Sequence, residues 1–397
     1  MKDTLIFFIE EGKKLSPVFE DLVLNLYENP EIGFKEFNAV KRHTELLKSF
    51  GFEIEMPYVG LPTAFKATYR GKKEGRTVAY LAEYDALPEI GHGCGHNILG
   101  ATSDLAAVLL RSAVDEVGGS VVVFGTCAEE MGGAKVNLVR ENKLKDIDVA
   151  LMAHPACAYV KSGTSLALIT REYIFEGMSA HAASEPWMGK NALDAQIILF
   201  NAINALRQQL EPHVRVHGII KEGGVAANVI PDHTVSRFYF RAATKKSLED
   251  VTAKIDLCAK AAALATGCEV KISEYELGND DLVTNEVLNE EFAKILREDL
   301  GEEVSEQSDS KGSSDMGNVS HVVPSIHPYF PITTKDVAGH TREFCDMTVT
   351  PYAYEKMREC AAVLATLGRR VIEDDDFYKR IRAEFNQKVK EGKIIPY

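Results

Sequence analysis

Three short runs of almost unbroken apolar residues alternate with helical patterns in the first 153 residues. The runs are TVAYLA from Thr77, SVVVFGT from Ser120 and VALMA from Val149, and the helical patterns are Ile98–Val117 and Ala134–Asn142. This alternation is typical of βαβ units, and strands that are apolar at nearly every position are typical of a parallel sheet covered on both faces. The chain is therefore predicted to contain an α/β domain with a mostly parallel sheet flanked by helices.

The pattern changes after residue 165. Strand-like segments and helical segments now follow one another in the order βαββαβ, which is the ferredoxin-like α+β arrangement. The segments are LALITREYIFEG, Asn191–Gln208, Val214–Ile220, Thr234–Arg241, Ser247–Ala265 and CEVKISEY. We predict that residues 166–277 form an inserted domain, and that residues 1–165 and 278–397 together form the outer one. A helical pattern at Asn285–Leu300, the strand-like VVPSIHPYF and a long helix at Pro351–Glu373 would complete the outer domain.

Length and charge narrow the class of protein. A chain of 397 residues is too long for one typical core, which agrees with two domains. Acidic residues outnumber basic ones by 59 to 45, and no basic patch stands out, so a nucleic-acid partner is not expected.

The apolar run Leu5–Ile9 is short and is followed by two glutamates, which predicts a cytoplasmic protein with no membrane partner. Seven irregularly spaced cysteines favour reduced thiols.

Polar side chains follow the three apolar strands where each one ends. Asp85 follows the first strand, Glu129 and Glu130 follow the second, and His154 follows the third. In an open α/β sheet, ligands bind beyond the carboxyl ends of the strands. Any one of these residues alone would be interpreted as ordinary structure, but together they indicate a site at this edge.

The segment GHGCGHN, from Gly91 to Asn97, adds a thiol and an imidazole to the same edge. Cys94 and His96 are two residues apart, so an extended backbone points both side chains to one side. Alternate glycines permit the unusual backbone that such a close approach requires. A Cys-x-His pair is a weak signal by itself, and its position ahead of a helical run strengthens it.

Glu129 and Glu130 are adjacent carboxylates that need different partners. One on a metal ion and one holding the attacking water would give a complete scheme for amide hydrolysis. The number of candidate ligands exceeds what one tetrahedral centre with an open water position can use, which favours two divalent metal ions. Thiolate and imidazole donors favour zinc, with manganese or cobalt as alternatives.

At this point an ordered set of motifs resembles the aminoacylase/carboxypeptidase-type metallopeptidases, the peptidase M20 family, in their amidohydrolase branch. Within it the chain looks most like the Xaa-Arg or β-alanyl-lysine dipeptidase group. This resemblance implies hydrolysis of dipeptides, with a basic C-terminal residue as a candidate feature. The alternative is an N-acyl-amino-acid amidohydrolase of the aminoacylase, aminobenzoyl-glutamate or hippurate type. The motifs that carry the resemblance are NPEIGFKEF, EYDALPEIGHGCGHN, CAEEMGGAK, His154-Pro155, GMSAHAASEPWMGKNALDA, NVIPD, GSSDMGNVSHVVPSIHPYF and GHTREF.

The resemblance implies a set of metal ligands. Cys94 matches the ligand that bridges two metals, and His96 and His154 match imidazole ligands on separate metals. Glu130 matches a carboxylate ligand, and His340 in GHTREF matches a distant fifth ligand.

The same resemblance implies the other site residues. Glu129 matches the general base, and Asp85 matches a carboxylate that orients a ligand histidine. His181, in the inserted domain, matches a histidine that stabilises the oxyanion in the partner subunit's site, which implies a homodimer. Asn228 and Arg241 match contacts to the carboxylate end of a small peptide or N-acyl amino acid. A strand-end salt bridge is the alternative for Arg241, and a turn before Pro231 is the alternative for Asn228.

Two departures and two competing functions complete the sequence-based interpretation. Gly93 and Asn97 replace the Ala and Asp of many relatives, which keeps the ligands but disfavours a hippurate-type substrate. Cys94 could instead be a nucleophile activated by a histidine, or the metals could only stabilise a binding module. Six other histidines are interpreted as ordinary structure or surface: His43, His213, His217, His233, His321 and His327. His92 could be a ligand by residue type, but its spacing from Cys94 would crowd the site and the resemblance assigns it no role.

Overall fold

The computed structural model of the protein describes residues 2–307 and 312–397. The chain divides into two compact units. The first unit contains the chain up to Thr164 together with Leu282–Tyr397, and the second unit is Ser165–Asp281.

The first unit begins with a long helix that the sequence patterns did not reveal. Its buried residues recur every three or four positions, so one face of α1 packs into the core, while the other face carries charged residues together with exposed apolar ones such as Phe7 and Val18. The α-helices and β-strands described before the second unit are α1 (Lys2–Glu28), α2 (Phe37–Ser49), β1 (Glu53–Glu55), β2 (Phe65–Arg70), β3 (Thr77–Ala82), α3 (His96–Val117), β4 (Ser120–Gly125), α4 (Ala134–Arg140), β5 (Val149–Leu151) and β6 (His154–Ala156).

The second unit has the predicted βαββαβ order. Its four strands form an antiparallel sheet in the order β10-β7-β9-β8, and Tyr173, Phe175, Phe238 and Phe240 are buried in a core shared with both helices. The ferredoxin-like prediction is therefore confirmed. The elements are β7 (Ala167–Glu176), α5 (Ala192–Leu206), β8 (Arg215–Glu222), β9 (His233–Ala242), α6 (Lys245–Thr266) and β10 (Glu269–Ser273).

The chain then returns to the first unit. Helix α7 continues into a π-helical segment, Ile295–Leu300, and α10 has the predicted bounds. The elements are α7 (Glu286–Lys294), α8 (Met316–Ser320), β11 (Ser325–Ile326), β12 (Tyr329–Pro331), α9 (Arg342–Met347), α10 (Pro351–Glu373) and α11 (Asp375–Lys390).

The central sheet of the first unit has the order β1-β2-β4-β3-β5-β11. Strands β4, β3, β5 and β11 are parallel, as predicted, whereas β2 and β1 extend the sheet with antiparallel pairing that the sequence did not predict. Helix α3 is buried along most of its length and packs against β3, β4 and α10. The carboxyl ends of β3, β4 and β5 therefore point to one edge, where the polar residues lie.

Candidate metal centre

The loops after the three parallel strands bring the predicted ligands together. In two overlapping groups, the ligand atoms lie within 4.8 Å of one another: Cys94, His96 and His154 form one group, and Cys94, Glu130 and His340 form the other. Cys94 belongs to both groups, as expected of a bridging ligand. His96 also groups with Glu129 and Glu130, so the geometry does not assign each ligand to one ion.

Glycines allow this close approach. Gly95 has φ +79°, a left-handed conformation, and a Cβ there would lie 2.5 Å from Cγ of Pro155. At Gly93 a Cβ would lie 2.7 Å from a methyl carbon of Ile90. The carbonyl of Gly93 accepts a 2.8 Å hydrogen bond from the backbone N–H of His340. Gly93 therefore ties the distant GHTREF segment to the Cys94 loop.

The donor atoms at the centre are oriented as metal ligands require. Nδ1 of His96 lies 2.8 Å from Oδ1 of Asp85, whose other oxygen accepts a hydrogen bond from the backbone N–H of Glu130 at 3.0 Å. Asp85 thereby fixes two candidate ligands at once, in the way that carboxylates orient metal-bound imidazoles. Nε2 of His96 and Oε1 of Glu130 are buried without a hydrogen-bond partner among the described residues. Nε2 of His96 lies 3.2 Å from Oε2 of Glu83, an ion-pair distance, and both buried donor atoms fit a metal ion.

One short distance lies within each of the two ligand groups. Sγ of Cys94 lies 3.5 Å from Nε2 of His154, and Nε2 of His340 lies 3.5 Å from Oε1 of Glu130. Burial raises the pKa of the Cys94 thiol to about 12 and, together with the charge of His96, lowers the pKa of His154 to about 4. A buried thiol with so high a pKa is a poor nucleophile, whereas a cation would favour its thiolate. The donor chemistry therefore suits a metal centre better than a thiol hydrolase.

Glu129 lies beside a buried ionic cluster that the sequence did not reveal. Oxygens of Glu83, Glu129 and Asp315 lie within 4.8 Å of one another. Nζ of Lys135 contacts Glu83 at 2.6 Å and Asp315 at 2.5 Å, and the Lys135 side chain is fully buried. Burial, and then the charges of Glu83 and Asp315, raise the pKa of Glu129 well above its usual range. Lys135 thus supplies the cation for this acidic group.

A sequence signal could have pointed to one of these additional residues. Glu83 lies two positions before Asp85, a spacing that places both on the same side of an extended chain. His327, interpreted from the sequence as ordinary structure or surface, is buried with its ring centroid 5.6 Å from that of His154. Lys135 had no such signal, because a lysine in a short helical run normally faces solvent.

The remaining predicted site residues belong to the second unit. His181 is exposed, and its Nδ1 accepts hydrogen bonds from the backbone N–H groups of Ala183 and Ser184, both at 3.2 Å. The segment that carries Asn228 lies beside it, because the carbonyl of Asn228 accepts from the N–H of Ala182 at 3.0 Å.

Arg241 is not brought to the same place within this unit. The backbone of Asp232 lies against Gly177, which places the 228–232 segment at the beginning of β9. Arg241 is the ninth residue of that strand, on the order of 26 Å from its beginning. The structure therefore groups His181 with Asn228 and leaves Arg241 at the opposite end of β9.

Comparisons with known proteins agree with this architecture. Residues 166–267 match the family model described as a peptidase dimerisation domain. The Xaa-Arg dipeptidase of Mus musculus is 37% identical over 392 residues, which covers 93% of this chain and 89% of the relative. The chain belongs to the M20 peptidase family.

Other proteins show the range of similarity to this M20 peptidase. The Xaa-Arg dipeptidase of Homo sapiens is 35% identical over 396 residues, covering 93% of this chain and 89% of the relative. A dinuclear metal-binding peptidase of the M20 family from Bacillus subtilis has a crystal structure that matches with a TM-score of 0.62 at 18% identity. That match covers 88% of this chain and 99% of the other. At this identity the likeness shows the fold alone.

Family membership makes the chain a hydrolase that acts on carbon–nitrogen bonds. Among the helices in residues 2–307 and 312–397, none combines the length and the apolar composition that a membrane crossing requires.

Proposed function

We propose that this M20 peptidase hydrolyses the amide bond of dipeptides, with a basic C-terminal residue as the preferred class, at a two-metal centre with Glu129 as general base. The observation that carries the proposal is the pair of overlapping ligand groups that share Cys94, with Glu129 beside them. The similarity to the mouse Xaa-Arg dipeptidase over 89% of that protein's length supports the substrate class.

Cys94, His96, Glu130, His154 and His340 would hold the two ions. When bound, the ions supply Lewis acidity toward the amide carbonyl and lower the pKa of a water molecule. Zinc is the proposed metal because the donors are a thiol, imidazoles and a carboxylate, and manganese or cobalt can occupy such mixed sites.

Glu129 performs the proton transfers. Its carboxylate takes a proton from the attacking water and passes it to the leaving amine, so that one residue acts first as base and then as acid. Burial and the nearby carboxylates raise its pKa, whereas the charges of His96 and Lys135 oppose that shift. Asp85 holds the His96 ring and the Glu130 backbone in place, and therefore keeps two ligands aligned with the base.

A homodimer explains the arrangement in the second unit. His181 and Asn228 lie at one end of β9 and Arg241 lies at the other, so a single copy of this unit does not place all three on one substrate. Two copies can do so if one subunit contributes His181 and Asn228 and the other contributes Arg241. The match of residues 166–267 to a dimerisation domain supports this assembly.

We also propose a cytoplasmic location, which seven free cysteines support.

A substrate panel on protein reconstituted separately with zinc and with manganese tests the proposal. The panel contains dipeptides that end in arginine, lysine, alanine or glutamate, together with N-acetyl amino acids, hippurate and aminobenzoyl-glutamate. The highest kcat/KM is expected for a dipeptide with a basic C-terminal residue, with activity lost on chelation and restored by metal. Activity that survives exhaustive chelation would refute the metal centre, and a preference for N-acyl substrates would replace the dipeptide assignment by the amidohydrolase alternative.

A further inference from the structure

We propose that Glu36 is a positioning residue: its buried carboxylate holds the backbone turn that aims Glu129 at the reacting water. The inference rests on the proposed role of Glu129. Glu36 belongs to NPEIGFKEF, a motif to which the metal-centre chemistry assigns no role.

The NPEIGFKEF segment supports two of the loops that carry site residues. The carbonyl of Glu31 accepts a 2.8 Å hydrogen bond from the N–H of Ala86, directly after Asp85. Gly33 packs so closely on the second loop that a Cβ there would lie 2.8 Å from Cβ of Ala128. The segment is therefore in contact with both the Asp85 loop and the Glu129 loop.

Glu36 lies at the N-terminus of α2, but its side chain does not cap that helix. The carboxylate of Glu31 performs this role by accepting from the backbone N–H groups of Asn38 at 3.0 Å and Ala39 at 2.9 Å. Glu36 instead points into the protein, where it is fully buried. Because Glu31 caps the helix, the carboxylate of Glu36 is available for another contact.

That contact is with the residue immediately before the proposed base. Oε1 of Glu36 accepts a hydrogen bond from the backbone N–H of Ala128 at 2.8 Å, and Oε2 accepts from Oγ1 of Thr63 at 2.7 Å. The first contact joins two residues that are 92 positions apart in the chain. The second contact holds the other oxygen, which fixes the orientation of the carboxylate.

Ala128 needs such support because of its backbone conformation. It has φ +59° and ψ +41°, a left-handed conformation that is unfavourable for alanine, and it opens the short 3₁₀ turn Glu129–Met131. The buried N–H of Ala128 would lose its partner if Glu36 lost its acceptor, and a change in φ would then rotate the turn that begins with Glu129. A small displacement of a catalytic group is enough to reduce turnover strongly.

Two substitutions by side chains of similar size distinguish the effect of the hydrogen-bond acceptor from the effect of side-chain volume. Glu36→Gln keeps an oxygen for the N–H of Ala128, whereas Glu36→Met fills the space without an acceptor. With a dipeptide ending in arginine as substrate, we expect kcat of Glu36→Met to fall about 30- to 100-fold with KM within about twofold. Glu36→Gln is expected to stay within about threefold of the wild-type kcat, and bound metal is expected to remain unchanged in both.

Thr63→Val is the matched control, because it removes a hydrogen bond to the same carboxylate but leaves the Ala128 contact intact. Its kcat is expected to fall by much less than that of Glu36→Met, because the acceptor for the N–H of Ala128 remains. The proposal is overturned if Glu36→Met loses no more activity than Thr63→Val, or if folded Glu36→Gln loses as much as Glu36→Met. If Glu36→Met does not fold, Glu36→Asp replaces it, since the shorter side chain withdraws the acceptor while keeping the charge.

Glu129→Gln, assayed in parallel, separates this inference from the function on which it rests. Full activity of Glu129→Gln would refute Glu129 as the base and with it both proposals. Inactive Glu129→Gln together with fully active Glu36→Met would refute the positioning role alone.

Discussion

His154 and His181 are both proposed to act at the active site, yet their surroundings differ. The ring of His154 packs against those of His96, His327 and Tyr329, and its Nε2 lies 3.5 Å from Cys94. His181 is exposed, and the hydrogen bonds to its Nδ1 come from its own loop. The first unit therefore brings its candidate ligands together by itself, whereas the role proposed for His181 requires a second subunit.

The largest expected effect concerns the buried ionic cluster of the first unit. Lys135→Met would leave Glu83 and Asp315 buried without their cation, and we expect the free energy of unfolding to fall by about 3–5 kcal/mol, as when one partner of a buried ion pair is removed. Urea unfolding measures the change. Lys246→Met is the control, because Lys246 and Asp250 form an exposed pair in the second unit and its loss should cost under about 1 kcal/mol. Equal losses of unfolding free energy in Lys135→Met and Lys246→Met would contradict the difference between the buried and the exposed ion pair.

The next effect concerns chemistry rather than stability. Glu129→Gln should lower kcat at least several hundred-fold, about 3.5 kcal/mol, because the base is removed while the ligand groups remain. Steady-state kinetics together with metal analysis checks this expectation. A protein that serves only as a metal-stabilised binding module would be unaffected by the substitution.

A third effect comes from the burial of Glu36. Burial is the main cause that raises its pKa to about 7, to which the charge of Asp85 adds, so the folded protein retains a proton there more readily than the unfolded chain. The stability that this group contributes is present below about pH 4.5 and is lost as pH rises through about 7, by up to about 3 kcal/mol. The stability of Glu36→Gln relative to the wild type should therefore increase from about pH 5 to about pH 8. Urea unfolding across this range measures it, and a difference that does not vary with pH would contradict the shift.

The smallest expected effect concerns the exposed His181 of the second unit. His181→Ala should lower kcat about 100-fold if the imidazole stabilises the oxyanion. Mixing the weakly active His181→Ala with Glu129→Gln should then restore about a quarter of the wild-type activity, because half of randomly exchanged dimers are mixed and each has one intact site of two. No recovery after proven subunit exchange would place His181 in its own chain's site, or outside catalysis.

Much of the fold could be predicted because its signals are local. The runs at β3, β4 and β5 are apolar at nearly every position, and the strands and helices of the second unit follow their periodicities closely. Helix α1 was missed because its most prominent sequence feature is the short apolar run Leu5–Ile9, which hides the helical spacing of the buried residues that follow. The antiparallel strands β1 and β2 were missed because their sequences lack a continuous apolar run.

The candidate site divides in the same way. Cys94, His96 and Glu130 could be proposed from local chemistry together with motifs, whereas His340 rested on the resemblance alone. The structure places His340 near Glu130 through a hydrogen bond to the carbonyl of Gly93, a contact across 247 residues that no local pattern encodes.

The sequence by itself determined which residue types are available to bind metal ions or transfer protons, and it placed Asp85, Glu129, Glu130 and His154 after strand ends, because both follow from residue type and periodicity. Only the tertiary structure decided that Lys135 is buried between Glu83 and Asp315, and that Glu36 reaches the turn before Glu129. In both cases a charged residue on or beside a helix would be expected to face solvent. The cost of burying such a charge is offset only by partners that are distant in the chain, and folding alone brings them together.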